Sequence, residues 1–486
     1  MNSYIGVDLG TSGAKFLLVA ADGRILSQHT ESYPVSYPAS GWSEQDPHLW
    51  EEAAFAGIAR LLEGQNAAAV RGIGVGGQMH GLVLLDAGGE VIRPAILWND
   101  GRTQAQTDAL NARGLSYLAE RVGNAAFAGF TAPKILWVRE NEPENFSRIE
   151  KILLPKDYVV HVLCGAFSTD YSDASGTLLL DVRRRRWCKE LCDVCGVKEE
   201  WLPELFESFA PVGTLLPAAA ERLGLSPDVV VCAGAGDNAA AAVGTGTVRE
   251  GDCNISLGTS GTVFVPQDAF SSERCDALHS FCHANGKFHR MGCILSAASC
   301  NAWWSDGILK SSDYAREQAG AEKYMGKNDV FFLPYLMGER SPHNDVHARG
   351  AFLGMRPDTS REQMTLAVLE GVAFALRDCV EIAGGDIRKT TLCGGGAKSP
   401  LWRKVIANVL GIPVARPVTE EGPAYGGAML AMVACGEFSS VEEAADALTG
   451  VRSVEQPDPV LVRAYDDRYA IFVRLYPALK EIFRLF

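Results

Sequence analysis

The pentapeptide Leu-Gly-Thr-Ser-Gly occurs twice in this chain, in IGVDLGTSGAKFLLV (residues 5–19) and in NISLGTSGTVFV (residues 254–265). Each copy joins one apolar, β-branched run to another through a turn bounded by glycine, which is typical of a β-hairpin. A five-residue match carries little weight by itself, but the similar flanks predict the same supersecondary unit in each half of the chain. The sequence therefore predicts a duplicated architecture.

The chain is long enough for two domains, since 486 residues exceed what one hydrophobic core usually serves. We place the boundary after the Gly- and Ala-rich segment AGAGDNAAAAVGTG, which gives domains of residues 1–245 and 246–486. Strands and helices alternate in both halves, which predicts an α/β fold with helices covering the sheets. The predicted strands are two hairpins over 4–19 and 254–265 and single strands over 24–33, 70–77, 82–86, 287–293 and 389–395. The predicted helices include 46–64, 399–411, two that begin near 296 and 360, and one amphipathic helix over 460–483.

Composition excludes several classes of partner. A net charge of −14 argues against nucleic acid and anionic membrane surfaces, and the basic run RRRRW (residues 183–187) is interpreted as a solvated turn or helix start. The thirteen cysteines are scattered and odd in number, so we expect reduced thiols rather than disulfides, and WCKELCDVC and HSFCH lack the second ligand pair of a zinc site. No apolar run approaches the roughly 20 residues of a membrane span. We expect a cytoplasmic protein with small-molecule partners; a homodimer is an option that the sequence leaves open.

The two predicted hairpin turns carry groups suited to phosphate. Exposed backbone amides together with Thr and Ser hydroxyls form a concave anion site that needs no lysine. Asp8 precedes the first turn, where its hard carboxylate oxygens are suited to Mg²⁺ bound to a polyphosphate; the alternative is that Asp8 only caps the turn.

A second acid, Asp237, lies in AGAGDNAAAA at the end of an apolar strand and is followed by Asn238. A carboxylate in such a site can accept a proton from a substrate hydroxyl that attacks a terminal phosphoryl group. The alternative is that Asp237 caps the Ala-rich helix that follows.

Three further segments carry candidate ligand-binding groups. GGQMHGLVLLD places Met79 and His80 in a tight turn, and ILWNDGRT ends a strand with Trp98, Asn99 and Asp100, donors and acceptors suited to a polyol. CGGGAKS (residues 393–399) follows a strand with three glycines that let a ring or phosphate approach the backbone. It lacks the spacing of a dinucleotide-binding motif or a P-loop.

Together these segments resemble the FGGY family of carbohydrate kinases over nearly the whole chain. The passages that carry the resemblance, in family order, are YIGVDLGTSGAK, GWSEQDPHLW, GQMHGLVLLD, PAILWNDGRT, GFTAPKILWV, LLPKDYV, GAGDNAAAAVGTG, SLGTSGTVF, HSFCHA, FLPYLMGERSPHND, CGGGAKSPLWR and GPAYGGAMLA. The resemblance implies an actin-like ATPase fold, in which two ribonuclease-H-like domains enclose a central cleft. It implies transfer of the γ-phosphoryl group of ATP to O5 of D-xylulose, with Mg²⁺.

The resemblance also implies roles for particular residues. Asp237 resembles the catalytic base, and Asp8 resembles the acid associated with Mg²⁺ through water. The implied sugar contacts are Met79, His80, Trp98, Asn99, Asp100, Asp237 and Asn238. The implied nucleotide contacts are Gly10, Thr11, Ser12, Gly258, Thr259 and Ser260 at the phosphates and Gly395, Gly396 and Lys398 at the adenosine end. Whether Lys15, just after the first turn, reaches the nucleotide is left open.

Two alternatives remain at this point. One is an FGGY kinase for another substrate, such as L-ribulose, L-fuculose or glycerol, although GQMHG together with ILWNDGR favours xylulose. The other is a non-catalytic actin-like protein, either a chaperone, a filament or a sugar sensor. The chain shows no separate peptide-binding or DNA-binding segment, and it has a candidate base at Asp237, so an enzyme is favoured.

Overall fold

A computed structural model describes residues 1–486, which form two large mixed sheets and their covering helices. The strands are β1 (Ser3–Leu9), β2 (Gly13–Ala20), β3 (Ile25–Ser32), β4 (Glu44–Gln45), β5 (Val70–Gly77), β6 (Val83–Leu85), β7 (Ala95–Ile96), β8 (Lys151–Leu153), β9 (Ser168–Asp170), β10 (Leu180–Asp181), β11 (Arg186–Trp187), β12 (Glu204–Phe206), β13 (Pro211–Thr214), β14 (Val230–Cys232), β15 (Ala235–Gly236), β16 (Asp252–Leu257), β17 (Gly261–Gln267), β18 (His279–Cys282), β19 (Phe288–Ile294), β20 (Phe331–Leu333), β21 (Ala351–Leu353), β22 (Lys389–Cys393), β23 (Val414–Pro417) and β24 (Val451–Glu455).

The α-helices are α1 (Pro47–Leu61), α2 (Gln104–Asn111), α3 (Leu115–Val122), α4 (Thr131–Asn141), α5 (Pro143–Ser147), α6 (Pro155–Cys164), α7 (Tyr171–Ala174), α8 (Lys189–Cys195), α9 (Pro217–Leu223), α10 (Asp237–Gly244), α11 (Ala298–Ala302), α12 (Tyr314–Gln318), α13 (Arg361–Ala383), α14 (Pro400–Leu410), α15 (Gly422–Ala434), α16 (Val441–Leu448), α17 (Pro459–Phe472) and α18 (Leu475–Phe483). None of them combines the length and the apolar character that crossing a bilayer requires.

The first sheet has the strand order β13-β14-β5-β1-β2-β3, with β15 also paired to β5. Strands β1 and β2 form the predicted hairpin, and β5 runs parallel to β1. Helix α1 begins where the sequence indicates, because the Asp46 side chain accepts from the amide of His48 and Pro47 occupies the first turn. Its apolar face covers β2 and β3.

The second sheet repeats this arrangement in the order β18-β19-β17-β16-β22-β23-β24. Strands β16 and β17 form the second predicted hairpin, and β22 runs parallel to β16 as β5 does to β1. The 23-residue helix α13 is buried against this sheet and opens with a capping box in which Ser360 and Gln363 bond reciprocally. The same unit of hairpin plus parallel strand therefore stands in both halves.

Two helices cross between the halves at very short range. A Cβ on Gly426 of α15 would lie 1.9 Å from the carbonyl oxygen of Ala240 in α10, and one on Gly6 of β1 would lie 1.8 Å from that of Ala424. Only glycine permits these approaches, which accounts for the small residues of both segments. Because α15 belongs to the second half of the sequence but packs on the first sheet, the division at residues 245/246 stays a prediction.

The expected single C-terminal helix is wrong in one respect. The structure has α17 ending at Phe472 and α18 starting at Leu475, with Val473 and Arg474 between them. Pro477 lies in the first turn of α18, where its missing N–H costs no helical hydrogen bond, whereas one continuous helix would place it in the interior. The apolar periodicity continues across the break, which is why it does not reveal the break.

The basic run Arg183–Arg186 forms the β10–β11 turn, and three of its side chains are exposed as expected. Arg185 differs: it pairs with Glu207 and donates to the carbonyl oxygens of Gly286 and Lys287. One arginine of the run thus ties the first half to the β18–β19 turn of the second. All thirteen cysteines are free thiols.

Candidate active site

The two Leu-Gly-Thr-Ser-Gly segments form different turns. In the first hairpin Leu9 is paired with Ala14, whereas in the second Leu257 is paired with Gly261. The first turn is therefore one residue longer, and it is closed by a 3.0 Å bond from the Gly10 amide to the Gly13 carbonyl oxygen. Since register decides which side chains face each other, this difference places Lys15 directly opposite Asp8.

Both turns leave backbone donors free. The amides of Thr11, Ser12, Thr259 and Ser260 donate to no protein acceptor. In the second turn the carbonyl oxygens of Gly258 and Thr259 accept from the amides of residues 297–299 instead, including a 2.8 Å bond from Ala298. Free amides beside Thr and Ser hydroxyls are suited to an anion.

Asp8 and Asp237 stand at the ends of strands that flank β5. Asp8 is paired with Gly76 on one side of that strand, and Ala235 is paired with Gly76 on the other. The chain then enters α10, of which Asp237 is the first residue. Adjacent parallel strands thus bring the two acids to one edge of the first sheet.

Both carboxyls are shifted toward neutral pH. Burial raises the pKa of Asp8 to about 7, with the negative charge of Asp237 adding to the rise and Lys15 opposing it. Burial also raises the pKa of Asp237 to about 6, although one of its oxygens accepts from the backbone and side-chain nitrogens of Asn238 at 2.7 and 2.8 Å. The other oxygen of Asp237 accepts no protein hydrogen bond. The N-cap of α10 is Gly236, so capping does not account for this acid.

A buried polar cluster lies beneath Asp237, and the sequence analysis missed it. The Lys156 ammonium is fully buried between Asp157 at 2.6 Å and Asp170 at 3.0 Å, with Asp173 at 3.9 Å. Asp170 also accepts a 2.5 Å bond from the hydroxyl of Ser172.

The Ser172 hydroxyl in turn accepts from the amide of Gly236, at 3.1 Å, immediately before the catalytic candidate Asp237. The cluster therefore fixes the backbone that aims Asp237. The available signal was the Lys-Asp pair in the largely apolar segment LLPKDYV together with the two aspartates of the polar segment STDYSDAS.

His80 is held in an uncommon backbone conformation. Its φ is 70°, in the left-handed region, and its carbonyl oxygen accepts from Lys134 Nζ at 2.8 Å and from Thr131 Oγ1 at 3.1 Å. Its Nδ1 lies 2.9 Å from the carbonyl oxygen of Gly176, which can only accept, so Nδ1 carries the proton. Burial lowers the pKa of His80 to about 3, so the ring is neutral and Nε2 is an acceptor.

Aromatic rings from both halves surround His80 and Met79. Phe130 lies 4.8 Å from the His80 ring and Phe281 lies 6.3 Å from it, measured between centroids. Phe281 belongs to β18, the edge strand of the second sheet, which is anchored to the first half by bonds between Ser280 and Asn124. Residues of both halves therefore pack around His80.

The segment ILWNDGRT divides into exposed and structural residues. Trp98 is 45% exposed and donates from its indole nitrogen to the Thr11 hydroxyl at 2.9 Å, and Asn99 is exposed beside it. Asp100 differs from the expectation of a ligand contact, because its buried carboxylate already accepts from Arg102 and from the Ser43 amide at 2.6 Å. In this structure Asp100 holds the loop and has no oxygen left for a ligand.

The CGGGAKS segment forms a short 3₁₀ turn, Gly395–Lys398, after β22. A Cβ on Gly395 would meet nothing within 4 Å, and Lys398 is exposed without an ion-pair partner. Lys398 borders a cavity of about 840 Å³ between the Asp22–Arg24 turn of the first half and the second half, which Glu421 also lines. Lys15 pairs with Glu421, so it links the halves beside Asp8 rather than pointing freely into solvent. Neither Asp8 nor Asp237 lines this cavity.

Comparison with known proteins gives the family. Residues 3–244 match the N-terminal domain of the FGGY family of carbohydrate kinases, and residues 253–435 match its C-terminal domain. The chain is 41% identical to xylulose kinase of Escherichia coli over 98% of this chain and 99% of that protein. It is 39% identical to xylulose kinase of Klebsiella pneumoniae over 99% of both.

Among solved structures, a xyloylose kinase from Brucella ovis superimposes with a TM-score of 0.93 at 40% identity, covering 99% of this chain and 100% of that one. The predicted α/β fold with two actin-like domains is confirmed by these matches.

Proposed function

This chain belongs to the FGGY family of carbohydrate kinases, and we propose that it transfers the γ-phosphoryl group of ATP to O5 of D-xylulose, giving D-xylulose 5-phosphate. The observation that carries the proposal is the free oxygen of Asp237, a half-buried carboxyl directly after β15. The xylulose kinase relatives support the choice of sugar.

Asp237 is the general base in this proposal. Its pKa of about 6 leaves it mostly ionised at neutral pH, yet basic enough to accept the proton of a hydroxyl that attacks phosphorus. Asn238 occupies one carboxylate oxygen, which orients the other toward the substrate. The proton moves from the sugar hydroxyl to this free oxygen as the new O–P bond forms and the bond to the ADP oxygen breaks.

The two hairpins hold the polyphosphate. The free amides of Thr11 and Ser12 on one side, and of Thr259 and Ser260 on the other, donate to phosphate oxygens, and Gly10 and Gly258 keep each turn compact. The adenosine end lies on the open backbone of Gly395, with Lys398 beside it, whereas Gly396 is buried against Leu257 and gives the turn its shape.

The acids fit a Mg²⁺ ion that accompanies ATP. Asp8 and Asp237 are close enough for the charge of one to raise the pKa of the other, and Lys15, the nearby cation, is shared with Glu421. Such uncompensated hard oxygens are the donors that Mg²⁺ prefers, and Asp8 would hold the ion through water. When bound, the ion neutralises charge on the phosphates.

The sugar lies against Met79, His80 and Asn238, with Trp98 and Asn99 at the mouth. The neutral His80 accepts a hydrogen bond from a sugar hydroxyl at Nε2. Asp100 does not contact the sugar in this proposal. It acts indirectly, because it holds Arg102 and the loop that presents Trp98.

The test is a coupled assay of ADP formation with a panel of D-xylulose, L-ribulose, L-fuculose and glycerol, using the wild type and Asp237→Asn. We expect D-xylulose to give the highest kcat/KM, and the variant to lose about 10²–10⁴-fold in kcat with unchanged ATP binding. The exposed Asp228→Asn is the matched control. A tenfold preference for another sugar overturns the choice of substrate, and ATP and sugar binding without turnover by the wild type indicates a sensor.

A further inference from the structure

Arg340 occupies a rigidly held position next to β19 in the second half. It precedes Ser341, whose amide donates to the carbonyl oxygen of Cys293 at 3.0 Å. The Ser341 hydroxyl accepts from the Cys293 amide at 3.0 Å and donates to the carbonyl oxygen of Ala277 at 2.7 Å. Three hydrogen bonds therefore fix the backbone that presents the guanidinium.

The Arg340 guanidinium has no acidic partner. No carboxylate lies within ion-pair distance, no carbonyl or hydroxyl oxygen accepts from it, and its Nε is buried without an acceptor. The Cys293 thiol is close enough to interact with the guanidinium. The side chain is half-buried, and a cation in such a position without an acidic partner is a candidate for binding an external ligand.

The guanidinium packs on an aromatic cluster that extends to His80. It lies 4.9 Å from the ring centroid of Phe127, which packs at 5.5 Å from Phe130 and 5.0 Å from His279. Phe130 is the ring that lies beside His80. A chain of two rings, Phe127 and Phe130, thus connects Arg340 to His80.

The charge of Arg340 acts on two histidines of the aromatic cluster. The positive charge of Arg340 contributes to the lowered pKa values of both His80 and His279. It does not contribute to the raised pKa of Asp237, which burial causes and the hydrogen bonds from Asn238 oppose. The charge effect on His80 agrees with the ring contacts in placing Arg340 on the His80 side of the site.

We propose that Arg340 is a sugar-binding residue supplied by the second half of the chain, and that its guanidinium donates hydrogen bonds to oxygens at the end of the ketose remote from the phosphorylated hydroxyl. On D-xylulose these are the C1 hydroxyl and the C2 carbonyl oxygen. The inference rests on the proposed function for the identity of the sugar.

Two properties of the site support this assignment. His80 offers only an acceptor at Nε2, so a sugar carbonyl needs a donor from elsewhere, and the guanidinium has donors to spare. The contact also comes from the half opposite to Met79, His80 and Asn238, so the sugar would bridge the two halves.

The experiment compares Arg340→Met, which keeps the apolar stem, with Arg340→Lys and the wild type on D-xylulose and on 1-deoxy-D-xylulose. We expect Arg340→Met to raise KM for D-xylulose about 10–100-fold, as the loss of a charged hydrogen bond does, with KM for ATP within twofold. The KM of Arg340→Lys for D-xylulose should lie between that of the wild type and that of Arg340→Met. If the guanidinium bonds O1, its loss should cost the 1-deoxy sugar less; an equal cost assigns the bond to the carbonyl oxygen.

Arg356→Met is the control, because it removes an exposed arginine, paired only with Asp329, from the same half. Melting temperature checks the fold, and calorimetric titration with D-xylulose measures binding without turnover. An unchanged KM and Kd for D-xylulose in Arg340→Met would overturn the assignment. Failure of the proposed function looks different, since the wild type itself would then not phosphorylate D-xylulose.

Discussion

Gly176 accepts the Nδ1 proton of His80 at 2.9 Å, and this bond leaves Nε2 of the same ring as an acceptor. The two residues are 96 positions apart, and no side chain would fit between them, because a Cβ on Gly176 would lie 2.3 Å from Nδ1 and 3.2 Å from the terminal methyl of Met79. Gly176 thus sets both the position and the tautomer of a proposed sugar contact.

Replacing Gly176 with alanine should therefore displace His80. We expect Gly176→Ala to raise KM for D-xylulose by about tenfold or more, as misplacement of a positioned group does, with little change in KM for ATP. Steady-state kinetics with each substrate varied in turn measures the split. Gly88→Ala is the control, because it lies in an exposed turn where a Cβ meets the flexible side chains of Asp86 at 3.3 Å and Glu90 at 3.9 Å. An equal rise in both KM values would contradict the argument.

The carbonyl oxygen of His80 gives a second test. Thr131→Val keeps the shape of the side chain but removes one of the two donors that hold φ of His80 at 70°. A backbone so placed costs about 1–3 kcal/mol and persists only when its surroundings impose it. We expect Thr131→Val to raise KM for D-xylulose severalfold, and Thr131→Ser, which restores the hydroxyl, to recover it. If KM for D-xylulose stays raised in Thr131→Ser, the loss is due to packing of the side chain and not to the hydroxyl.

The cluster around Lys156 should respond asymmetrically to mutation. Lys156→Met leaves Asp157 and Asp170 buried without their cation, and breaking a buried pair in this way costs about 3–5 kcal/mol. Asp173 accepts no hydrogen bond, and burial raises its pKa well above the usual range although Lys156 lies 3.9 Å away, so its ionised form is disfavoured. Asp173→Asn should therefore change stability much less than Lys156→Met. Urea unfolding at pH 7 compares them; a larger loss for Asp173→Asn would mean that this carboxyl is charged.

The hairpins and the strand at 70–77 were predictable because their signals are local: apolar runs, glycine-bounded turns and, for α1, an Asp-Pro start. The difference in register between the two identical turns was not predictable from the pentapeptides. It follows from neighbours far along the chain, since Gly13 lies against the backbone of Glu31 in β3, whereas Gly261 lies against Ile294 and Ala297.

The same limit applies to the site. Asp8 and Asp237 could be singled out because each ends an apolar strand among small residues. Thr131, Lys134 and Gly176 could not be linked to His80, because they act across 51 to 96 positions and by way of backbone oxygens. Asp100 looked like a ligand for the same reason: the sequence does not show that Ser43 and Arg102 already occupy its carboxylate.

The acid limb of the pH profile should follow the pair Asp8 and Asp237. Their pKa values of about 7 and 6 belong to raised carboxyls, so the ionised forms are lost as pH falls through that range, and kcat/KM for D-xylulose should fall below about pH 7. A profile from pH 5 to 9 measures it. A kcat/KM that stays unchanged down to pH 5 would show that the reaction needs neither carboxylate in its ionised form.

Removing the charge of Lys15 and removing the charge of Glu421 should shift the acid limb of the pH profile in opposite directions. Lys15 lowers the pKa of Asp8 and Glu421 raises it, so Lys15→Met should shift the acid limb to higher pH and Glu421→Gln should shift it to lower pH. The direction of each shift separates an effect of charge from an effect of lost structure. If the pair only linked the two halves, both variants would weaken that link and shift the pH profile in the same direction. Arg24→Met, which breaks an exposed pair with Asp22 on the neighbouring turn, should leave the limb unmoved. Shifts in the same direction for Lys15→Met and Glu421→Gln would contradict the role assigned to their charges.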